Sequence, residues 1–472
     1  MSLQQDEENQ PKENVARPLK VGDVYPATAL RLNDDGEGVV LLDGLVTFVP
    51  GLLPGELADV QVISVTRRFA RATLASSVRA NVDAGPQEGT VRAVPECSVF
   101  GLCGGCQLQH MDYRAQLTHK RNVVQAALRR VGNLPELPVA DTLGMERPWR
   151  YRNQVQVPLH YKEQTATLKS GFFAAHSHRM VETPSCFLES AAMEATVAAV
   201  TRQLPDMLGG EVRGVHHLIV RESYTTGRQL VILCLRNPLT RPQQQAVRTL
   251  ALLPSVAGVA FTVQPQPHGP MWGKSVEVLS GESFLTEVMD GLELLISARS
   301  FFQTNTQQAR SLYRYVRQQA QILPGQRVFD AYCGTGSIGL YLALQGAQVL
   351  GVESNPAAVA DAQRNAAHNG LQNTEFVAGS VERELPRRVA HGEKFDLIVL
   401  DPPREGCHRE VLAALVAARS ERIIYVSCNP ATLARDLVEL VRGGYLVEAV
   451  QPVDMFPQTA HVECVVSLIR NL

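Results

Sequence analysis

The first part of the chain is patterned as short apolar runs separated by turn residues. Between residues 20 and 78 these runs are only a few residues long, and glycines or the Pro54-Gly55 pair stand between them. Short strands joined by frequent turns are typical of a small all-β fold. We therefore predict a small, OB-like β-barrel over residues 19–80 and a disordered tail over the polar residues 1–18.

The middle of the chain mixes helical and strand-like periodicity. The stretch MDYRAQLTHKRNVVQAALRRVG spaces Leu117, Val124 and Leu128 along one face and closes with Gly132, which predicts one amphipathic helix. Beyond it, the runs NQVQVPL, HHLIVRES, QLVILCL and GVAFTV predict strands. We assign residues 81–295 to a central α+β domain.

The apolar runs become continuous in the last part of the chain. QRVFDAY, AQVLGVE, FDLIVLD and RIIYVSC are largely apolar, and segments of helical length separate them. Parallel strands that are covered on both faces by crossover helices show this pattern. Residues 296–472 are therefore predicted to form a doubly wound, Rossmann-like α/β domain, and the whole chain is a multidomain α/β protein.

Length and composition add limits to this picture. At 472 residues, 45% of them hydrophobic, the chain exceeds one ordinary core, so two or three globular domains are expected. No apolar run approaches the roughly 20 residues that span a bilayer, so we expect a cytoplasmic protein without membrane association. Nine cysteines without an export signal favour thiols, metal ligands or catalysis over disulfides.

Charge is distributed unevenly along the chain. Residues 61–180 carry 16 Lys and Arg against 8 Asp and Glu, a net charge of +8, whereas the whole chain has a net charge of −2. A local excess of cations favours a polyanionic partner, and an ordinary solvated surface is the competing interpretation.

A glycine motif opens the last domain. The first strand runs into DAYCGTGSIG, in which Gly334, Gly336 and Gly339 satisfy GxGxxG, and Glu353 ends the next strand. Glycines permit close approach of a nucleotide cofactor, and a carboxylate at that place accepts hydrogen bonds from ribose hydroxyls. Such a loop binds nicotinamide cofactors and S-adenosylmethionine alike, so the motif alone does not distinguish dehydrogenases from methyltransferases.

The end of the fourth strand distinguishes enzymes that use nicotinamide cofactors from enzymes that use S-adenosylmethionine. FDLIVLDPPREG ends in Asp401 and two prolines, a corner that dehydrogenases have no evident need for and that methyltransferases use to hold a target base. Ligands of such sheets bind outside the carboxyl ends of the strands, so Asp401 and Cys428, which both end strands, are predicted to face the cofactor. Free cysteine is also a common core residue, but a thiol beside a methyl donor is a candidate nucleophile.

A cysteine nucleophile fits methylation of a pyrimidine ring at C5. That carbon is a poor nucleophile until a thiolate adds to C6 and converts the ring into an enolate-like species. A base must then remove the C5 proton so that the thiol can leave. Glu463 is the candidate base, because TAHVECVVSLIR places this charge in an otherwise apolar strand, which is costly without a partner or a task.

Several motifs together resemble one family. SFFQTN, DAYCGTGSIG, LDPPREG, YVSCNPATLARD and HVECV occur in the order and spacing of the RNA uracil-5 methyltransferase family. The N-terminal barrel resembles a TRAM domain, an RNA-binding module, and CSVFGLCGGCQLQH resembles the iron-sulfur segment of that family. The chain is most similar to the 23S ribosomal RNA branch, because the tRNA branch typical of enteric bacteria lacks both the barrel and the cysteine segment.

The resemblance implies roles for individual residues. Cys428 would be the nucleophile and Glu463 the base. The residues that would contact S-adenosylmethionine are Gln303, Tyr332, Gly334, Glu353 and Asp401.

Four cysteines form a candidate metal site. Cys97, Cys103 and Cys106 have the spacing C-x5-C-x2-C, and the resemblance adds Cys186 as the fourth ligand of a [4Fe-4S] cluster. A tetrahedral zinc site would use the same residue types. The spacing therefore leaves zinc open, and only the family likeness favours the cluster.

The sequence thus predicts an enzyme that methylates C5 of a uridine in 23S rRNA. Three alternatives remain: a tRNA uracil-5 methyltransferase, an RNA cytosine-5 methyltransferase, and a non-catalytic RNA-binding protein that keeps the fold. Cytosine-5 enzymes usually carry a second cysteine at the position of Arg404. Nothing in the sequence indicates an oligomeric state, and we assume a monomer.

Overall fold

The computed structural model describes residues 19–80, 91–266 and 269–471. It divides into two compact units, one ending at Arg92 and the other beginning at Ala93. The predicted tail lies outside the described residues, and the predicted boundary at residue 296 stays a prediction. Within the described ranges, no helix combines the length and the apolar character needed to cross a membrane.

The N-terminal unit is a seven-stranded sheet of mostly short strands. Its strands are β1 (Val24–Thr28), β2 (Arg31–Leu32), β3 (Gly38–Leu42), β4 (Leu45–Val49), β5 (Glu56–Val65), β6 (Ala70–Leu74) and β7 (Arg79–Ala80). Their order is β1-β5-β6-β4-β3-β2, with β7 beside β5. Small aliphatic side chains such as Ala27, Val40 and Val60 pack into its core. The all-β prediction for this region is confirmed.

The second unit begins with the cysteine segment and continues into helix α1 (Tyr113–Arg130), which has the extent that the apolar spacing predicts. A second seven-stranded sheet follows, in the order β10-β9-β8-β11-β12-β13-β14. Its strands are β8 (Gln154–Lys162), β9 (Thr167–Phe173), β10 (Met180–Glu182), β11 (Val215–Glu222), β12 (Gln229–Leu235), β13 (Val256–Val263) and β14 (Val276–Gly281). Helices α2 (Ala191–Leu208) and α3 (Arg241–Arg248) pack their apolar residues against it.

A hairpin of β15 (Phe284–Met289) and β16 (Leu292–Ser297) leads to helix α4 (Thr306–Ala320) and to the C-terminal sheet. The strands of this sheet are β17 (Arg327–Ala331), β18 (Gln348–Glu353), β19 (Thr374–Ala378), β20 (Leu397–Leu400), β21 (Arg422–Ser427), β22 (Tyr445–Val453) and β23 (Glu463–Arg470). The helices between them are α5 (Ser337–Ala343), α6 (Pro356–His368), α7 (Val381–Ala390), α8 (Arg409–Ala418) and α9 (Pro430–Arg442).

The C-terminal sheet has the order β19-β18-β17-β20-β21-β23-β22. Strands β17 to β21 are parallel, and neighbouring residues enter opposite cores, Val328 on one face and Phe329 on the other. The predicted doubly wound fold is confirmed. Strand β23 runs antiparallel to both neighbours, because residues 454–462 return the chain without the helix that a parallel crossover needs.

Helix α1 packs on this C-terminal sheet. Its residues Val124 and Leu128 belong to the same apolar cluster as Leu433 and Leu437 of α9. The segment that follows the cysteine motif is thereby anchored against the elements that carry Cys428 and Glu463.

Candidate active site

The glycine loop joins β17 to α5 at the carboxyl end of the sheet. Gly336 has φ of 79°, a conformation that favours glycine, and a Cβ there would lie 2.9 Å from the Phe376 ring. A Cβ on Gly339 would lie 2.7 Å from Oδ2 of Asp330, which accepts a hydrogen bond from the Gly339 N–H at 2.9 Å. Both glycines are therefore required by close packing of the loop.

Glu353 ends β18 beside this loop. Its Oε2 accepts a hydrogen bond from the N–H of Gly334 at 3.3 Å, and its Oε1 accepts one from the N–H of Asn355 at 2.7 Å. The carboxylate is thus fixed at the carboxyl end of the sheet, next to the glycine loop, where an acid that binds ribose hydroxyls stands in doubly wound folds.

Tyr332 starts the glycine loop with φ of 61°. Its hydroxyl donates to Oε1 of Glu382 at 2.8 Å, and Ser380 donates to the other oxygen at 2.5 Å. Burial, together with Glu382, raises the pKa of Tyr332, so the phenol stays protonated. Sequence reasoning missed Glu382, although acidic side chains in the first turn of a helix after a strand are a recognisable signal.

The segment Phe301–Asn305 lies against both the glycine loop and the residues between β22 and β23. Thr335 donates to the carbonyl of Phe301 at 3.2 Å, and Asn305, the N-cap of α4, donates to the carbonyl of Met455 at 3.0 Å. Between them, the carbonyl of Gln303 accepts a hydrogen bond from Asn153 at 2.8 Å. Gln303 is thereby held at the edge of the candidate cofactor site.

The loop after β20 brings Asp401 and Arg404 to the site. The carbonyl of Arg404 accepts hydrogen bonds from Asn429 at 3.0 Å and from Thr432 at 3.1 Å, both at the start of α9. This holds the arginine over the end of β21. Apolar surroundings raise the pKa of Asp401 to about 7.

Cys428 and Glu463 are brought together by the register of β21 and β23. Ser427 pairs with Cys464 in this antiparallel pair, so the next residue of β21 and the preceding residue of β23 become neighbours. Glu463 is 7% exposed. Burial raises its pKa to about 8, with a further increase from Asp401 and an opposing effect of Arg404.

The thiol of Cys428 belongs to the same electrostatic cluster. Burial raises its pKa, as do Glu463 and Asp401, whereas the guanidinium of Arg404 lowers it. Cys428 also directly precedes Asn429, the N-cap of α9, whose side chain accepts the N–H of Ala431 at 3.0 Å. The positive end of that helix favours a thiolate. Sequence reasoning missed Arg404, because no periodic pattern marks one arginine in a loop.

The remaining predicted site residues form a separate cavity of about 370 Å³. Its lining includes Cys97, Cys103, Cys106 and Cys186, so the structure brings together all four cysteines predicted from the sequence. The N–H of Gly105 donates to Sγ of Cys103 at 3.4 Å. In the part of the chain that the structure describes, no group of three or more Cys, His, Asp or Glu side chains could hold a single metal ion.

Comparison with known proteins decides the family. Residues 294–471 match the family described as tRNA (Uracil-5-)-methyltransferase, and residues 18–75 match the TRAM domain. An uncharacterized RNA methyltransferase of Halalkalibacterium halodurans is 38% identical over 96% of this chain and 98% of the relative. Another, from Listeria monocytogenes, is 36% identical over 96% of this chain and 99% of the relative.

The chain belongs to the RNA uracil-5 methyltransferase family. The resemblance inferred from the five motifs is confirmed at this level, as is the TRAM domain. Among solved structures, the family member tRNA (uracil-54, C5)-methyltransferase of Pyrococcus abyssi, crystallised with S-adenosyl-L-homocysteine, is 25% identical. The alignment covers 94% of this chain and 99% of that one, with a TM-score of 0.71.

Proposed function

We propose that the protein transfers a methyl group from S-adenosylmethionine to C5 of a uridine in 23S ribosomal RNA, through a covalent bond between Cys428 and C6. The observation that carries the proposal is the pairing of Ser427 with Cys464, which sets Cys428 and Glu463 beside each other at the carboxyl end of β21. A nucleophile and a base on adjacent strands are what this two-step chemistry requires.

The first step activates the base. Sγ of Cys428 bonds to C6 of the uracil, and the π electrons of C5=C6 move onto the O4 carbonyl as an enolate. S-adenosylmethionine supplies an electrophilic methyl group on a sulfonium. C5 attacks that carbon, and the electron pair of the broken S–C bond stays on sulfur, so that S-adenosylhomocysteine leaves.

The second step restores the ring. The carboxylate of Glu463 takes the C5 proton, the C–H electrons re-form C5=C6, and the C6–S bond breaks to return the Cys428 thiolate. Because burial raises the pKa of Glu463 to about 8, the carboxylate is a stronger base than an exposed one.

Arg404 supports both steps electrostatically. Cys428 reacts as a thiolate and Glu463 as a carboxylate, and each anion is disfavoured by burial and by Asp401. The guanidinium lowers the pKa of both groups. A cation at this place therefore raises the fraction of each group that is in its reactive form.

The proposed cofactor pocket lies at the same end of the sheet. We assign the contacts with S-adenosylmethionine to Gln303, Tyr332, Gly334, Glu353 and Asp401. The hydrogen bonds that fix Glu353 and Tyr332 support this assignment, because a rigid carboxylate and a closed glycine loop suit a ribose. The Pyrococcus abyssi enzyme was crystallised with S-adenosyl-L-homocysteine, which supports S-adenosylmethionine as the methyl donor.

The four cysteines are the proposed ligands of a [4Fe-4S] cluster. Their thiols fit an iron-sulfur cluster or zinc by chemistry, and they share one cavity. A zinc ion needs all four sulfurs around one point, whereas a cubane spreads them over four irons around a larger centre. Only the family resemblance of the cysteine segment favours the cluster over zinc.

The RNA substrate is inferred from size and charge. The TRAM domain and the central domain are the candidate RNA-binding parts beside the methyltransferase fold, and the +8 block covers the end of the first and the beginning of the second. A large folded RNA offers phosphates to more of this surface than a small stem-loop does. The Pyrococcus abyssi enzyme acts on tRNA, so tRNA is the substrate to test against.

The deciding experiment offers both RNAs to the purified protein. Unmodified 23S rRNA and tRNA transcripts are incubated with labelled S-adenosylmethionine, and the labelled nucleoside is mapped. We expect labelled 5-methyluridine in 23S rRNA with the wild-type protein. The negative control, Cys428→Ala, should give no label. Label only in tRNA would show that the branch is wrong, label in 5-methylcytidine that the base is wrong, and no label in either RNA that the protein is not an enzyme of this type.

A further inference from the structure

The connection between β22 and β23 is unusual because hydrogen bonds from neighbouring parts of the chain fix a long loop in a buried position. Segment 454–462 is too long for a simple hairpin turn and ends directly before Glu463. Loops of this length usually lie on the surface and move. Here the side chains of Asp454, Gln458 and Thr459 are all buried.

Five consecutive carbonyls of this segment, from Asp454 to Gln458, accept hydrogen bonds from outside it. The donors to the first four are the side chains of Gln308, Asn305, Lys120 and Tyr151, in that order along the segment, at 3.0 Å each. The fifth carbonyl, that of Gln458, accepts from the N–H groups of Gln107 and Leu108 at 3.1 and 3.0 Å. No regular secondary structure supplies these bonds, so the segment depends on its neighbours for its shape.

Three side chains of α1 form the centre of this arrangement. Gln116 bonds reciprocally with Gln458: its Nε2 donates to Oε1 at 3.0 Å, and its Oε1 accepts from the N–H at 3.1 Å. Lys120 forms an ion pair of 2.5 Å with Asp454, and both side chains are 0% exposed. Tyr113 donates to the other oxygen of Asp454 at 2.8 Å.

The backbone at Gln458 shows that the neighbours impose this shape. Its φ of 70° lies in the left-handed region, which side chains other than glycine rarely adopt. Such a strained conformation persists only when surrounding contacts determine it. The strained residue stands five positions before Glu463, on the path by which that side chain enters the site.

We propose that Gln116 is a positioning residue for Glu463: by fixing the side chain and the N–H of the strained Gln458, it sets the path by which residues 454–462 lead to the carboxylate. This rests on the proposed function, in which Glu463 removes the C5 proton. The same bonds reach the cysteine segment, because Gln107 and Leu108 directly follow Cys106 and both donate to Gln458. The residues that follow Cys106 and the segment that leads to Glu463 are therefore joined by direct hydrogen bonds.

The test separates the two chemical steps. Wild-type protein, Gln116→Ala and Glu463→Gln are mixed with RNA and S-adenosylmethionine, and the covalent protein–RNA adduct is followed on denaturing gels. For Gln116→Ala we expect release of the adduct to slow by about tenfold or more, because small displacements of a reacting group have large effects on rate. Formation of the adduct and binding of S-adenosylhomocysteine should each change by less than about twofold.

A matched control lies on the same helix. Gln125 is partly buried and donates to the carbonyl of Leu137 at 3.3 Å, away from residues 454–462. Gln125→Ala should leave both steps at wild-type rates. Hydrogen exchange at the Gln458 amide should accelerate in Gln116→Ala and stay unchanged in Gln125→Ala, a readout independent of activity.

A milder variant keeps the proposal testable if Gln116→Ala does not fold. Tyr151→Phe removes one hydroxyl, the donor to the Pro457 carbonyl, and should slow release in the same direction by a smaller factor. Equal losses in formation and release, or wild-type release in folded Gln116→Ala, would overturn the positioning role. Normal release by Glu463→Gln would instead overturn the base assignment, and the positioning proposal with it.

Discussion

Cys428 and Glu463 stand one step beyond the paired residues Ser427 and Cys464, the first following β21 and the second opening β23. Glu463 is buried and Cys428 is partly buried at the carboxyl end of the sheet, where both groups must carry a negative charge to react. Arg404 is the cation that the structure places against them. The balance between burial and this arginine therefore governs the pH at which the site works.

Replacing Arg404 should move the pH dependence to higher pH. Arg404→Gln removes the charge that lowers the pKa of Cys428 and of Glu463. Both groups react deprotonated, so the rise of the methylation rate with pH should be displaced upward, and the rate at pH 7 should fall about 10- to 100-fold. Single-turnover rates across pH 6–10 measure this. Arg409→Gln, an exposed arginine of α8, is the control, and an unmoved profile in Arg404→Gln would exclude the role.

Removing the thiol should separate chemistry from cofactor binding. Cys428→Ala is expected to lose methylation by at least about a thousandfold, because covalent activation of C5 is lost, while S-adenosylhomocysteine binds as before. RNA containing 5-fluorouridine should trap a stable adduct with wild-type protein, since fluorine blocks proton removal, and none with the variant. Cys234→Ala, at a buried core thiol, should still form the adduct. Turnover by Cys428→Ala would require another nucleophile.

Glu463 should make folding stability depend on pH. Its pKa is about 8 in the fold against an ordinary 4.5, so the folded state holds the proton more tightly than the unfolded chain. The stabilising contribution is complete below about pH 4.5 and is lost as pH rises toward 8. Glu463→Gln should therefore be more stable than wild type by about 5 kcal/mol at pH 9 and by less than about 1 kcal/mol at pH 5. Thermal unfolding at the two pH values checks this, and an equal difference at both would contradict it.

How much of the candidate site could be predicted from the sequence depends on how far apart in the chain the interacting residues lie. Glu353, Asp401 and Cys428 could be predicted because each stands at the end of an apolar strand. Ligands of doubly wound sheets bind at the carboxyl ends of the strands, which places these three residues at the site. Glu463 was found because a charge interrupts an apolar run. Gln116 gave no signal, since its partner Gln458 is 342 positions away and a glutamine on a helix is usually a solvated residue.

The cluster should be visible in anaerobically purified protein. If Cys97, Cys103, Cys106 and Cys186 hold a cubane, the protein should be brown and contain about four irons per chain. Changing one of the four cysteines to serine should remove the colour, whereas Cys407→Ser, at a buried cysteine outside the cavity, should keep it. One zinc and no iron per chain would replace the cluster by a tetrahedral zinc site.

Loss of the cluster should also loosen the segment that leads to Glu463, the proposed base. Because Gln107 and Leu108 donate to Gln458, disorder in the cysteine segment should loosen residues 454–462. Hydrogen exchange at the Gln458 amide should accelerate when iron is removed by a chelator. Amides of β17, which bond within the parallel sheet, should keep their protection. Unchanged exchange at Gln458 would show that the two sites are independent.

The N-terminal unit should contribute to RNA affinity through unpaired arginines. Arg67 and Arg68 are exposed in the turn between β5 and β6, whereas Arg71 forms an ion pair of 2.6 Å with Glu37. A free cation that contacts a phosphate releases about one counterion, so the logarithmic salt slope of binding should fall by about 1.5 when Arg67 and Arg68 are both changed to Ala. Arg71→Ala should change the slope less, because Glu37 already compensates that charge. KM should rise in the double variant while kcat stays constant, since neither arginine belongs to the proposed active site. Equal salt slopes for the double variant and the wild type would show that RNA does not bind this turn.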